Sequence, residues 1–373
     1  MEPEHTTRVR ARAIPRGEAC APIARGAGRG DPEGCCAAGS CKVEWAAMDQ
    51  PKSSGLYDKQ ASRAYYEDRF ARGYMDAWPA ETKRRIAELV GGLGLPDRGE
   101  ALDFGCGNGV LTDVLRQALP PGWTVYGTDI SETALGNARQ RYPLCTFFPA
   151  DDARQAGKKF DFLFTHHCLE HVYDLDRTVA EMKGCLKAVS AMLHIVPCGN
   201  AGSFERDVCL LRKDGINAEL HNRFFFEDEG HLRRLTTDEF CALWAGTGFA
   251  LVREYYSNQR FGAVNWISGR GPAFIRMFTD TSKAVDAKAK ARLERLRFGL
   301  LALWALRCSR VVVEHRLRKR GRTVRDYILL MFGLPLYVIA KPVDACIKGR
   351  ARREWRTRRT ERNGSEMYLF FRR

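Results

Sequence analysis

Ala101-Leu102-Asp103-Phe104-Gly105-Cys106-Gly107-Asn108-Gly109-Val110-Leu111-Thr112 is the stretch on which the reading of this chain turns. An apolar run ends in Asp103, three glycines follow at alternating positions, and helix-forming residues resume at once. The pattern predicts a strand, a tight turn and a helix N-terminus. Glycines in such a turn let the backbone approach a ligand, and the helix end offers unpaired N–H groups and a positive dipole. A dinucleotide fingerprint reads G-x-G-x-x-G. Here the third glycine arrives one residue early, and Val110 stands where that fingerprint needs glycine.

The residues downstream extend the pattern. Trp123 to Asp129 reads as a second strand ending in a carboxylate, followed by Ile130 and by Ser131 as a helix cap. Asp129 lies at the end of strand two of a βαβ unit, where it can accept hydrogen bonds from both hydroxyls of a ribose. Cys145 to Asp152 reads as a short strand ending in two acids, and Phe160 to Thr165 as an apolar strand running into His166-His167-Cys168-Leu169-Glu170-His171-Val172. Ala191 to Pro197 reads as a fifth strand. Leu235 to Phe240 opens a helix that ends at Gly246-Thr247-Gly248, before a sixth strand from Phe249 to Tyr256.

With Asp103 two places ahead of the first glycine, this series resembles the motifs of the class I S-adenosylmethionine-dependent methyltransferases, over about residues 60 to 257. The branch it looks like contains ubiquinone-biosynthesis O-methyltransferases and many glycan and small-molecule enzymes. The resemblance implies an α/β fold, a Rossmann-like seven-stranded methyltransferase sheet with helices on both faces. It implies S-adenosylmethionine as cofactor, held by Asp103, Gly105, Cys106, Gly107, Asn108, Gly109, Asp129, Ile130, Asp151 and Thr165. Asp151, which aligns better than Asp152, would contact the adenine amino group.

Charge is divided unevenly. The chain has 373 residues and a formal net charge of +15, yet residues 258–373 hold 28 Lys and Arg against 9 Asp and Glu. The rest of the chain is slightly acidic. Thirteen cysteines are scattered without paired C-x-x-C spacing, which indicates neither a zinc ribbon nor a disulfide scaffold and fits a reducing cytoplasmic setting. The opening residues lack the apolar core of a secretory signal.

The organisation along the chain reads in four parts. Residues 1–47, rich in Arg, Gly, Ala, Pro and Cys, read as a disordered extension. Residues 48–257 read as the methyltransferase domain, with Tyr65, Tyr66, Phe70, Tyr74 and Trp78 spaced to cover the cofactor or to pack as core. Residues 258–364 read as a basic helical insertion with two short apolar runs, Phe298 to Leu306 and Ile328 to Ala340. The second is interrupted by Pro335, and neither reaches the ~20 residues needed to span a bilayer. Residues 365–373 alternate and read as a terminal strand beside strand six. Apolar runs flanked by basic clusters over 297–359 suit an anionic membrane surface, on the inner face of the membrane.

Methyl transfer to a hydroxyl benefits from a base, and histidine is matched to neutral pH. His167, His166 and His231 are the catalytic candidates. His171 reads equally as a structural cap, and His194 as a core residue. No cluster of carboxylates or histidines stands apart from the cofactor motifs, so no metal site is expected. The reading that follows is O-methyl transfer to a lipid-linked, glycan or small-molecule acceptor at the membrane surface. An RNA or protein methyltransferase using the basic region, and a non-catalytic cofactor-binding module, are the alternatives. Nucleic acid is the weaker partner because no Asn-Pro-Pro-Tyr-type element follows strand four. Oligomeric state is not legible.

Overall fold

The computed structural model describes residues 58–152 and 157–373, so the expectation for residues 1–47 lies outside the described residues. Seven strands form one sheet: β1 (Arg98–Phe104), β2 (Gly122–Asp129), β3 (Thr146–Pro149), β4 (Phe160–His166), β5 (Leu186–Pro197), β6 (Ala250–Ser257) and β7 (Glu366–Arg372). Their order is β3-β2-β1-β4-β5-β7-β6. The first five run parallel. β7 runs antiparallel between β5 and β6, pairing with both along its length. The sequence-based fold class is therefore observed, including the last strand beside strand six.

Both faces of the sheet are covered, and side-chain alternation feeds two separate cores. Leu102, Leu163, Met192, Met367, Leu369 and Phe371 pack on one side. Ala101, Phe162, Phe164, Leu193, Tyr368 and Phe370 pack on the other. This is why Met367 to Phe371 form an unbroken apolar run, which corrects the alternating pattern expected from sequence. The helices before the insertion are α1 (Lys59–Ala71), α2 (Ala80–Gly91), α3 (Val110–Ala118), α4 (Glu132–Arg141), α5 (Leu175–Cys185), α6 (Phe204–Cys209) and α7 (Thr237–Ala242). The last starts at a capping box in which Thr236 and Glu239 satisfy each other's backbone N–H groups.

Between β6 and β7 lie α8 (Phe261–Ile267), α9 (Pro272–Phe278), α10 (Ala287–Arg318) and α11 (Val324–Arg358). The root of this insertion has its own core, in which Ile267, Phe274, Phe278, Leu293 and Leu300 meet Val208, Phe224 and Phe226. Here the short apolar runs expected from sequence are corrected. Each belongs to one long helix, of 32 residues in α10 and 35 in α11. Pro335 and Pro342 sit inside α11 without ending it. Each removes one backbone donor, and the prolines are exposed and seven residues apart, so both lie on one outer face of the helix. α11 is consequently long and apolar enough to cross a membrane by length and composition.

The hairpin is held by charge at close quarters. Asp344 of α11 pairs with Arg307 at 2.9 Å and with Lys348 at 2.8 Å, and Asp326 pairs with Arg316 and Lys319. The buried Glu354 carboxylate accepts the backbone N–H groups of Arg260, Phe261 and Gly262 at 2.9 to 3.2 Å, which pins the end of α11 onto the start of α8. Glu354→Ala should cost about 2 kcal/mol, because three bonds to a charged acceptor vanish. Hydrogen exchange of the amides at 260–267 should quicken at least tenfold, and unchanged exchange would refute the clamp.

Candidate active site

The turn after β1 is built as its glycines require. Gly105 has a φ of +80°, and a Cβ there would lie 2.5 Å from the Cys168 sulfur. At Gly109, with a φ of +75°, a Cβ would lie 2.9 Å from Ala138 and from Phe147. Beyond the turn, α3 begins at Val110 and points its N-terminus at a cleft of about 1290 Å³ including its mouth. Asp103, Gly105, Cys106, Gly107, Asn108, Asp129, Ile130 and Asp151 line that cleft, as do His166 and His167.

Three of the expected site residues do not line it. Gly109 serves the turn and the packing of α4. Thr165 is fully buried and bonds His194 Nδ1 at 2.9 Å, because its position on β4 points to the opposite side from the cleft. His231 lies behind His171, with ring centroids 4.6 Å apart, and bonds Glu227 at 3.1 Å.

The acids of the site are held firmly. Asp103 accepts a 2.6 Å bond from the Thr112 hydroxyl. Asp129 accepts from the backbone N–H of Gly107 at 2.8 Å and of Ser131 at 3.0 Å, which sets the turn while leaving lone pairs toward the cleft. Asn108 donates to the Tyr74 carbonyl and to Asp76, tying the segment after α1 to the turn.

α1 forms a roof. Tyr66, Phe70, Tyr74 and Trp78, on and after it, line the cleft. The roof is anchored at three points. Lys59 and Arg63 pair with Asp151, Glu67 accepts from the N-terminus of α4, and Arg69 grips Asp228 through two bonds of 2.5 and 2.6 Å. Asp151 thus faces cations of the roof, and its carboxyl is held below its usual range by the Lys59 hydrogen bond.

The two histidines after β4 differ sharply. His167 is at a φ of +48°, with Nδ1 2.8 Å from Glu170 and Nε2 3.1 Å from Glu366. Burial alone would lower its pKa, but the two carboxylates push it up to about 10. With a carboxylate at each ring nitrogen its protonated form is favoured, which makes it a poor general base and corrects its place among the candidates. His166 is lowered to about 3 by burial and by the charge on His167. Neither of its ring nitrogens has a hydrogen-bond partner among the described residues, and Trp78 packs on it with centroids 4.6 Å apart.

Cleft-lining polar atoms of Tyr66, Thr128 and His166 are buried with no partner among the described residues. Buried polar groups rarely stay unpaired, so such a set marks a place where a ligand supplies the missing bonds. A turn of glycines, a carboxylate at the end of β2 and an aromatic roof fit an adenosine-bearing cation. The unforeseen participants are Glu366 and Arg85, which join the His167 side of the cleft from β7 and α2. Nothing local in sequence links residues 199 positions apart.

Burial pushes the Asp103 carboxyl up to about 7, despite the lowering bond from Thr112. Between about pH 4 and 7 the folded chain therefore keeps a proton that an unfolded chain releases, so this group's contribution to stability falls as pH rises through that window. A cationic cofactor favours the ionised form. S-adenosylmethionine affinity should consequently tighten with pH up to about 7, by at most about tenfold per unit, and then level off. Asp103→Asn should flatten the calorimetric profile. A flat profile in the unsubstituted protein would contradict this account.

Comparison with known proteins agrees with this geometry. Residues 72–254 match the methyltransferase domain family. The trans-aconitate 2-methyltransferase of Variovorax paradoxus is 32% identical over 108 residues, which are 28% of this chain and 41% of that protein. The ubiquinone biosynthesis O-methyltransferase of Mesorhizobium japonicum is 36% identical over 89 residues, 21% of this chain and 33% of that one. The chain thus spans about two-fifths or less of the length of these curated relatives. Among solved structures, magnesium protoporphyrin IX methyltransferase from Synechocystis is 21% identical, with 53% of this chain and 93% of that one covered and a TM-score of 0.39. Over residues 72–254, just under half of its length, this chain is thus similar to methyltransferase domains.

Proposed function

We propose that the chain transfers a methyl group from S-adenosylmethionine to an oxygen of a lipid-linked, glycan or small-molecule acceptor at a membrane surface. When bound, the cofactor supplies an electrophilic methyl group on a sulfonium, so the protein's task is chiefly alignment. Asp103, Asp129 and the Gly105–Gly107 turn hold the donor side. The roof of α1 keeps water out.

The observation that carries the acceptor side is the unpartnered, neutral imidazole of His166 on the same cleft as those groups. Its lone pair accepts a hydrogen bond from an acceptor hydroxyl and fixes the direction of attack. As the new C–O bond forms and the sulfonium C–S bond breaks, the hydroxyl proton passes through the ring to solvent, because the imidazole, its pKa lowered by burial, does not retain it. His167, charged on both sides by carboxylates, keeps its proton and orients its neighbour. The name of the ubiquinone biosynthesis relative supports oxygen as the receiving atom.

The membrane part of the proposal rests on the hairpin of α10 and α11. Tyr327, Met331, Phe332, Val338 and Ile339 are exposed on α11, with Phe332 at 68% and Val338 at 69%. Arg316, Arg318, Lys319, Arg320, Arg322 and Arg325 flank them at one end and Lys348, Arg350, Arg352 and Arg353 at the other. Each Lys or Arg near an anionic lipid surface contributes about 1 kcal/mol.

The test uses the full chain, S-adenosylmethionine with a labelled methyl group, and lipid, glycan and soluble extracts, with anionic vesicles as a binding arm. Label should enter a lipid or glycan fraction, His166→Ala should cut turnover about 10²-fold with cofactor affinity unchanged, and vesicle binding should weaken as salt rises. Full activity in His166→Ala would remove the acceptor-side assignment. Label confined to RNA, or no vesicle binding at low salt, would overturn the membrane reading.

A further inference from the structure

The sequence offers no metal cluster, but the fold assembles one that the methyl-transfer reading does not use. Glu170 and His171 follow β4, and His231 ends the segment that Arg69 holds under the roof. One donor atom from each lies within 4.8 Å of the others. Their preparation is unlike that of an ordinary polar network. His171 Nδ1 is bonded to the Gly230 carbonyl at 3.0 Å, which keeps the proton on Nδ1 and turns Nε2 toward Glu170 at 4.0 Å. His231 Nδ1 is bonded to the Glu227 carboxylate at 3.1 Å, which leaves its Nε2 for the cluster.

An imidazole whose other nitrogen donates to a carbonyl or carboxylate is the arrangement that orients metal-ligating histidines. Arg234 in turn holds Glu227 at 2.5 Å, so the supporting carboxylate is itself fixed. Glu170 is 3% exposed. His167 lies 2.8 Å from one of its oxygens, yet neither oxygen receives a well-directed hydrogen bond among the described residues.

We propose that Glu170, His171 and His231 bind one divalent cation of the zinc or cobalt type. Two imidazoles and one carboxylate suit borderline ions, whereas Mg²⁺ and Ca²⁺ prefer an all-oxygen shell. Bonds of about 2.0–2.1 Å place tetrahedral ligands roughly 3.4 Å apart, so binding draws these three atoms inward by about 1 Å. His171 also lines the cleft, so the ion stands at the cleft wall and joins the segment after β4 to the segment carrying His231. A second group, His166, His167 and Glu366, also meets the distance criterion. It is the poorer site because both ring nitrogens of His167 already face carboxylates, Nδ1 toward Glu170 at 2.8 Å and Nε2 toward Glu366 at 3.1 Å.

The test is titration of chelator-treated full-length protein with Co²⁺, followed by visible absorption, and competition by Zn²⁺. One equivalent should bind and give ligand-field bands of nitrogen and oxygen ligation. His231→Gln and His171→Gln should each weaken binding 10- to 100-fold, with metal-free thermal unfolding recorded for both to show that they fold. His221→Ala, on a histidine outside the cluster, should bind as the parent does. Absence of a saturable site, binding unaffected by His231→Gln, or binding lost only in His167→Gln would each overturn the proposal. If both glutamine variants fail to fold, calorimetry of Zn²⁺ with the intact chain decides, and less than one tight equivalent refutes the site.

Discussion

The antiparallel insertion of β7 between β5 and β6 is the constraint on which the rest of the molecule depends. β7 lies between two strands that precede it in the chain and pairs with both, so β5 and β6 stand apart by the width of a strand. The helices from α8 to α11 must therefore leave and return at one edge. That edge is the carboxyl end of the parallel strands, where open α/β sheets bind ligands. Glu366, the first residue of β7, shows the consequence directly. Its carboxylate accepts the Ser257 hydroxyl from β6 and pairs with His167 after β4. One carboxylate thus ties the edge of the sheet to a residue that lines the cleft.

The polar groups behind that wall form a connected buried series. Arg85 and Tyr368 meet Glu366, which meets His167, which meets Glu170. On the far side Arg234, 3% exposed, lies between Glu205 and Glu227 and donates to the Ser365 carbonyl. Burying such charges is costly, and replacing a pair by apolar residues is often neutral or stabilising. What the series contributes is position. It fixes His167 as a cation, leaves His166 neutral, and links the cleft to the residues on which the basic insertion is rooted.

Much of the donor side was legible from local pattern, because a turn that needs positive φ at Gly105 leaves a mark in the sequence, and so does a carboxylate at the end of β2. β7 was legible for the same reason, since Met367 to Phe371 must feed two cores at once. The acceptor side was not. His166 and His167 are adjacent and chemically identical in sequence, and only Glu170 and Glu366 separate a cation from a neutral ring. Glu366 is 199 residues from its partner, and His231 reaches Glu170 only through a tertiary fold. The insertion was half legible: basic flanks and apolar runs were plain, but Pro335 and Pro342 signalled breaks that α11 does not make. Packing against α10 keeps the helix continuous across both prolines.

The central claim is that the cleft under α1 is the donor site of a methyltransferase, with Asp129 as the group that recognises the ribose. Calorimetric titration of S-adenosylmethionine into the full chain and into Asp129→Ala tests it most directly. The account predicts one saturable site in the parent and a loss of affinity of about tenfold or more in the variant, in keeping with removal of hydrogen bonds to a charged acceptor. Equal binding in both proteins, or none in the parent, would contradict it.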